Sequence, residues 1–141
     1  MTGHSRTLRG QALVETGIVI VLLCTLVMGI IEFGRAFLIA NMITNAAREA
    51  ARAAAVVPTN LRDSAGTILD VSGIKQLVYD TLTGTVDTSA ITSVDVMQAT
   101  TSGIPTVAVT VHGLVPFVFN LPGVGESFTV NRSVTFRDEG R

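Results

Sequence analysis

Residues 10–55 read GQALVETGIVIVLLCTLVMGIIEFGRAFLIANMITNAAREAARAAA, and this run decides what kind of molecule the chain makes. From Thr16 to Ile31 it carries no charge. A helix that crosses the bilayer hydrocarbon needs about 20 mostly apolar residues, and residues 12–31 supply them if Glu15 is tolerated. No proline occurs before Pro58, and helix formers dominate residues 35–57. One helix is therefore expected over residues 11–57. At 1.5 Å per residue it would be about 70 Å long, over twice the hydrocarbon thickness, so its second half must emerge into water. In that half, steps of about 100° per residue gather Asn41, Asn45, Arg48, Glu49 and Arg52 on one arc. Ala36, Ile39, Ala40, Ile43, Ala47, Ala50 and Ala54 fall opposite. Such a small-residue stripe suits a neighbouring helix or the chain's own sheet, and the pattern leaves both open.

The flanks orient this helix. Residues 1–10, MTGHSRTLRG, carry Arg6 and Arg9 and no acid. A secretory signal peptide has a similar basic start, but its apolar core should close on a small-x-small cleavage site. Here the core runs into Glu32-Phe33-Gly34-Arg35 and a further helical pattern, so a retained transmembrane helix is expected. The positive-inside rule then keeps the N-terminus in the cytoplasm and carries the rest across the membrane. Cys24 is the one cysteine, which excludes an intramolecular disulfide. Val21-Leu22-Leu23 before it lacks the small residues of a lipidation site, so it reads as a small apolar side chain.

Glu15 is the anomaly, because an acid inside an apolar span is costly and points to function. A plain structural role, favouring the first turn through the helix dipole, would also place it there. Its position narrows the choice. If the chain is cut between Gly10 and Gln11, Glu15 is the fifth residue of the product. A glycine, a glutamate five residues on and an apolar helix together resemble a type IV prepilin processing site. The resemblance extends through Gly10-Gln11-Ala12-Leu13-Val14-Glu15, Ile31-Glu32-Phe33-Gly34-Arg35 and Asn45-Ala46-Ala47-Arg48-Glu49-Ala50-Ala51-Arg52, whose spacing is similar to that of the TadE-like family, minor pseudopilins of tight-adherence pilus systems. It covers the first 55 residues or so. Thr16 stands where the family usually has an aromatic residue, and the apolar run lacks the proline that many members carry.

The resemblance implies a leader of residues 1–10 removed by a membrane prepilin peptidase. It also implies that Glu15 sets axial register by pairing with a freed N-terminal amine, and that the partners are other pilin subunits or pilus assembly proteins. Glu32 and Arg35, three residues apart, can meet on the helix surface and are expected to mark the exit from the membrane.

Residues 58–141 are expected to form a small extracytoplasmic head. Pro58 and Asn60 end the helix, and residues 59–73 read as a loop. Ile74, Leu77, Val78 and Leu82 at helical spacing predict a short helix over residues 73–83, stopped by Gly84. Three strands are predicted: near 92–99, through TVAVTVHG with Val107, Val109 and Val111 on one face, and through SFTVNRSVTFR with Phe128, Val130, Val134 and Phe136 on one face. Arg132 interrupts that last face, at an edge or a bulge. Phe117, Phe119 and Leu121 should cover the helix or the sheet. The expected fold class is thus α+β and pilin-like: a long N-terminal transmembrane helix with a small C-terminal antiparallel sheet packed on its emergent half.

No residue pattern calls for chemistry. His4 and His112 stand far apart, no His/Cys cluster has metal-ligand spacing, and Asp63, Asp70, Asp80, Asp87 and Asp95 are spread singly. No glycine-rich phosphate loop is present. A formal net charge of −1 with scattered bases, and an aromatic content of 5%, exclude a nucleic-acid surface. The expectation is a structural subunit without catalysis, metal or cofactor, in the cytoplasmic membrane or a surface pilus used for adhesion. Homo-oligomers, and a polymer built mainly of this chain, stay open. An uncleaved, single-pass anchored scaffold or binding protein is the alternative. An anchored enzyme is the third reading, and it would need a concave site in a small head.

Overall fold

The computed structural model describes residues 4–119 and 125–140, with the backbone alone over residues 4–9. It contains α1 (His4–Ala55), α2 (Ser72–Leu82), β1 (Ile91–Thr101), β2 (Ile104–Pro116) and β3 (Ser127–Arg137), with short 3-10 turns at Thr59–Leu61 and Thr88–Ala90. A long apolar helix followed by a small three-stranded antiparallel sheet is the α+β class the sequence predicts. The chain divides into two units, Met1–Arg35 and Ala36–Arg141.

In the first unit every described side chain from Gln11 to Ile31 is exposed or, at Gly29, half-exposed. Leu22, Leu23, Ile30 and Phe33 are more than half exposed, an arrangement with no stable place in water. The polar groups in this stretch satisfy themselves. Thr16 Oγ1 donates to Ala12 O at 2.8 Å and Thr25 Oγ1 to Val21 O at 2.9 Å, so neither hydroxyl needs water.

The second unit is built on the last four turns of α1. Ile39, Ile43, Ala46, Ala47, Ala50, Ala51, Ala54 and Ala55 are buried, whereas Asn41, Asn45, Arg48, Glu49 and Arg52 are exposed. The sheet order is β1-β2-β3, antiparallel throughout. Its inner face presents Val107, Val109, Val111 and Val115 of β2, Val94 of β1 and Val130 of β3 to that helix, while Ile74, Val78 and Leu82 of α2 complete the core. Alternation along β2 gives a buried side chain at every second residue. Gly113 sits where sheet and helix come closest: a Cβ there would lie 3.3 Å from Ala90 O and 3.6 Å from Ile43 Cδ1.

Element boundaries depart from the sequence reading in small ways. The helix ends at Ala55 rather than residue 57, because Pro58 disfavours helical geometry at the residue before it. The loop after it contains a bridge between Arg62 and Ile68. β1 and β2 join in a two-residue turn with Ser102 at φ 52° and Gly103 at φ 79°, the left-handed pair that suits sheet twist. Arg132 introduces no bulge. β3 pairs with β2 in unbroken register, with Arg132 opposite Val111, and the irregularity lies between Ile91 and Ser93 in β1. The rings of Phe117 and Phe128 meet in a tilted pair, with centroids 5.6 Å apart and planes at 43°. Leu121 lies outside the described residues.

Candidate functional site: the junction and the helix it opens

Gly10 and Gln11 lie inside α1, exposed, with nothing within 4 Å of the place a Gly10 Cβ would occupy. Glu15 is exposed four residues beyond Gln11, one turn along the same face. The start of the leader lies outside the described residues. Glu32 and Arg35 are brought together as expected from their spacing: Arg35 Nη2 is 3.1 Å from Glu32 Oε2, and Arg35 Nε donates to the same oxygen at 3.2 Å. Glu32 is buried, with 5% of its surface exposed, which a carboxylate tolerates only with such a partner.

Of the small-residue stripe, Ile43, Ala47, Ala50 and Ala54 belong to the chain's own core, and Ala40 is partly buried against it. Ala36 is half-buried. Among the positions singled out in the sequence, those from Gly10 to Glu15 therefore stay accessible, whereas the stripe beyond Ile43 is occupied.

The structure also holds a polar cluster that sequence reasoning missed. Arg62 Nη1 and Nη2 donate to Asp138 Oδ2 and Oδ1 at 2.7 and 2.8 Å, a buried two-pronged pair. Arg62 Nε donates to Val57 O at 3.0 Å, Gln98 Nε2 to Asp138 Oδ2 at 3.1 Å, and Gly140 N to Asp138 Oδ1 at 3.2 Å. Glu139 N donates to Ala55 O at 2.8 Å, so the chain's C-terminal segment caps the open carbonyls of α1. Burial pushes the Asp138 carboxyl up. The hydrogen bonds from Arg62, Gln98 and Gly140 and the Arg62 charge outweigh that, holding it below the usual carboxylate value. The cleft beside it, ≈ 490 Å³ and lined by Thr67, Gln98, Thr100 and Thr106, has its two charged groups spent on each other. The pair acts as a clasp between the C-terminal segment and the loop after α1.

On the outer sheet face His112 Nε2 lies 3.4 Å from Asp95 Oδ2, and Nδ1 lies 2.9 Å from Asn131 Oδ1. Ser93 Oγ donates to Asp95 rather than to His112, so no nucleophile is paired with the imidazole. Among the described residues no three His, Cys, Asp or Glu side chains converge as metal ligands.

The fold is of the α+β class, with a helix long and apolar enough to cross a membrane, as a membrane anchor requires, and a small antiparallel sheet packed on its last turns. More particularly, residues 10–52 match the family described as TadE-like protein, so the chain carries the segment that its junction and helix resemble. No curated protein and no solved structure matches the chain.

Proposed function

We propose that this chain is a minor pilin or pseudopilin, a non-catalytic structural subunit. It is inserted with its N-terminus in the cytoplasm, trimmed after Gly10 by a prepilin peptidase, and built into or used to assemble a Tad-type adhesion pilus. The observation that carries this reading is the placement of Glu15. It stands on an exposed helix face one turn beyond Gln11, and the family match begins at Gly10. Cleavage after Gly10 would free an amine at Gln11. An ammonium and a carboxylate that are both poorly solvated gain most by finding each other, within one chain or between neighbours. A subunit added one step out of register would leave both unpaired.

Intact mass and N-terminal sequencing, with and without a co-expressed prepilin peptidase, test the processing step. The expected product begins at Gln11 only when the peptidase is present. A chain that keeps Arg6 and Arg9 in both conditions leaves the anchored-scaffold reading instead. Replacing Glu15 with Ala should spare insertion and cleavage but impair piliation, and normal piliation in that variant would remove the register role.

A further inference from the structure

Where β2 turns toward β3, apolar side chains stay exposed. Leu114 is 51% exposed and Val118 65%, with Pro116 also exposed between them. From Gly113 to Gly125 the sequence carries no charge. Two contacts fix where this end of β2 lies in the head. At the start of the strand, Pro105 O accepts from Asp138 N, and the next N–H, that of Glu139, reaches Ala55 O. Near its other end, Gly113 approaches Ile43 Cδ1. β2 therefore runs back along α1. From Gly113 to Val118 the chain advances about 10 Å further along the helix, once strand tilt is allowed for. That brings Val118 toward the level of Ala36, the residue at which α1 enters the head.

The helix is apolar at the same end. Phe37 and Leu38 are more than half exposed, and the polar arc begins only at Asn41. Along α1, Ala36 follows the apolar run ending at Ile31 by about 7.5 Å. The headgroup layer outside the hydrocarbon is roughly 5–7 Å deep on each side. Residues level with Ala36 thus stand at the surface of a bilayer that holds residues 12–31. A second apolar exposure, Leu61 and Leu69, sits at the opposite end of the head, beside Val57, where exposed Asp63 and Asp70 flank it. Between His112 and Arg132 the one charged residue is Glu126, exposed and paired through its backbone carbonyl with Phe117 N.

We propose that the β2 end from Leu114 to Val118, together with Phe37 and Leu38, rests in the interfacial layer of the membrane that holds the helix. The inference rests on the reading of α1 as a membrane anchor. It gives that anchor a second point of attachment, which fixes the tilt and rotation of the head against the bilayer. The contact is apolar. Glu126 gains nothing from an anionic surface, so a zwitterionic bilayer suffices and salt has little effect. A few side chains are enough, because the tether already holds them next to the lipid at high effective concentration.

The test uses the full chain with Cys24→Ser, reconstituted in phosphatidylcholine vesicles and carrying one nitroxide label, at Val118→Cys or at Leu69→Cys. The two side chains are equally exposed in the head, at 65% and 67%. Electron paramagnetic resonance compares label collisions with oxygen, which concentrates in lipid, and with a water-soluble nickel chelate. The oxygen-to-nickel ratio should be about fivefold higher at Val118→Cys than at Leu69→Cys, and high salt should leave it unchanged. With the label at Leu114→Cys, adding Val118→Asp should lower the ratio to that of Leu69→Cys. Thermal melting checks the fold, and Val118→Asn replaces Val118→Asp if the latter does not fold. Equal ratios at the two positions overturn the proposal, as does an unmoved ratio at Leu114→Cys. Few collisions with either reagent at Val118→Cys also overturn it, since a protein cover such as a second copy then occupies the site. Cys24 of the parental chain, probed in the same vesicles with an impermeant maleimide, separates the causes of failure. Protected Cys24 with Val118→Cys in water sinks this inference alone, whereas reactive Cys24 removes the anchor and the inference with it. Cleavage after Gly10 is read by mass, so an uncleaved chain with Val118→Cys in lipid sinks the processing reading alone.

Discussion

Asp138 shows how much one residue can hold in place. Its carboxylate accepts from Arg62, Gln98 and the Gly140 N–H, and Arg62 reaches on to Val57 O, so the C-terminal segment, the loop after α1 and the first strand meet at one ion pair. Removing one partner strands a buried guanidinium, so Asp138→Ala should cost about 3–5 kcal/mol in an equilibrium unfolding measurement. The pH dependence follows from the direction of its shift. The folded pKa lies below the unfolded one, so the stabilisation is complete above the ordinary value of 3.8 and fades as pH falls through the lower folded value. Asp138→Asn should flatten the acid limb of the stability profile, and an unchanged limb would assign acid sensitivity to other carboxylates. Gly140 belongs to the same clasp: a Cβ there would collide with Val57 O and the Arg62 guanidinium, so Gly140→Ala should lower the melting temperature although its surface position looks harmless. None of this was legible. Arg62 and Asp138 are 76 positions apart, and nothing local distinguishes a clasped arginine from a solvated one.

At the scale of elements the sequence was far more readable, because burial periodicity is a local property. The arc of Asn41, Asn45, Arg48, Glu49 and Arg52 is the exposed face of α1, and the residues read from SFTVNRSVTFR form β3 from end to end. What periodicity could not supply was the occupant of the small-residue stripe. That depends on Val107, Val109 and Val111 arriving from some 60 residues away. Since the sheet takes that place, Ala50→Leu should overpack the seam and cost about 1–3 kcal/mol, whereas Asn45→Leu on the opposite face should leave thermal stability nearly unchanged. Gly113→Val should be worse than Gly113→Ala, as the extra methyls enter the space between Ala90 O and Ile43. Equal melting temperatures for Ala50→Leu and the parent would mean that the seam is loose enough to admit another chain.

For the whole molecule the decisive question is where residues 12–31 reside. Their side chains are exposed, their threonine hydroxyls are satisfied on the helix itself, and no charge interrupts them between Glu15 and Glu32. In water this surface would collapse or aggregate, whereas in hydrocarbon the same surface is at equilibrium. Cys24 lies near the middle of the span and reports on it without any substitution. In sealed membrane vesicles a charged, impermeant maleimide should leave Cys24 unmodified until the membrane is dissolved and the chain denatured. A Cys24→Ser chain carrying Thr129→Cys, on the outer face of β3, supplies the contrast. It should be labelled at once in vesicles that expose the extracytoplasmic side and be protected in inverted ones. Cys24 reacting as fast as Thr129→Cys would place the helix in water and remove the membrane anchor. Labelling of Thr129→Cys in inverted vesicles alone would keep the anchor but reverse its direction, leaving Gly10 on the side away from the cytoplasm.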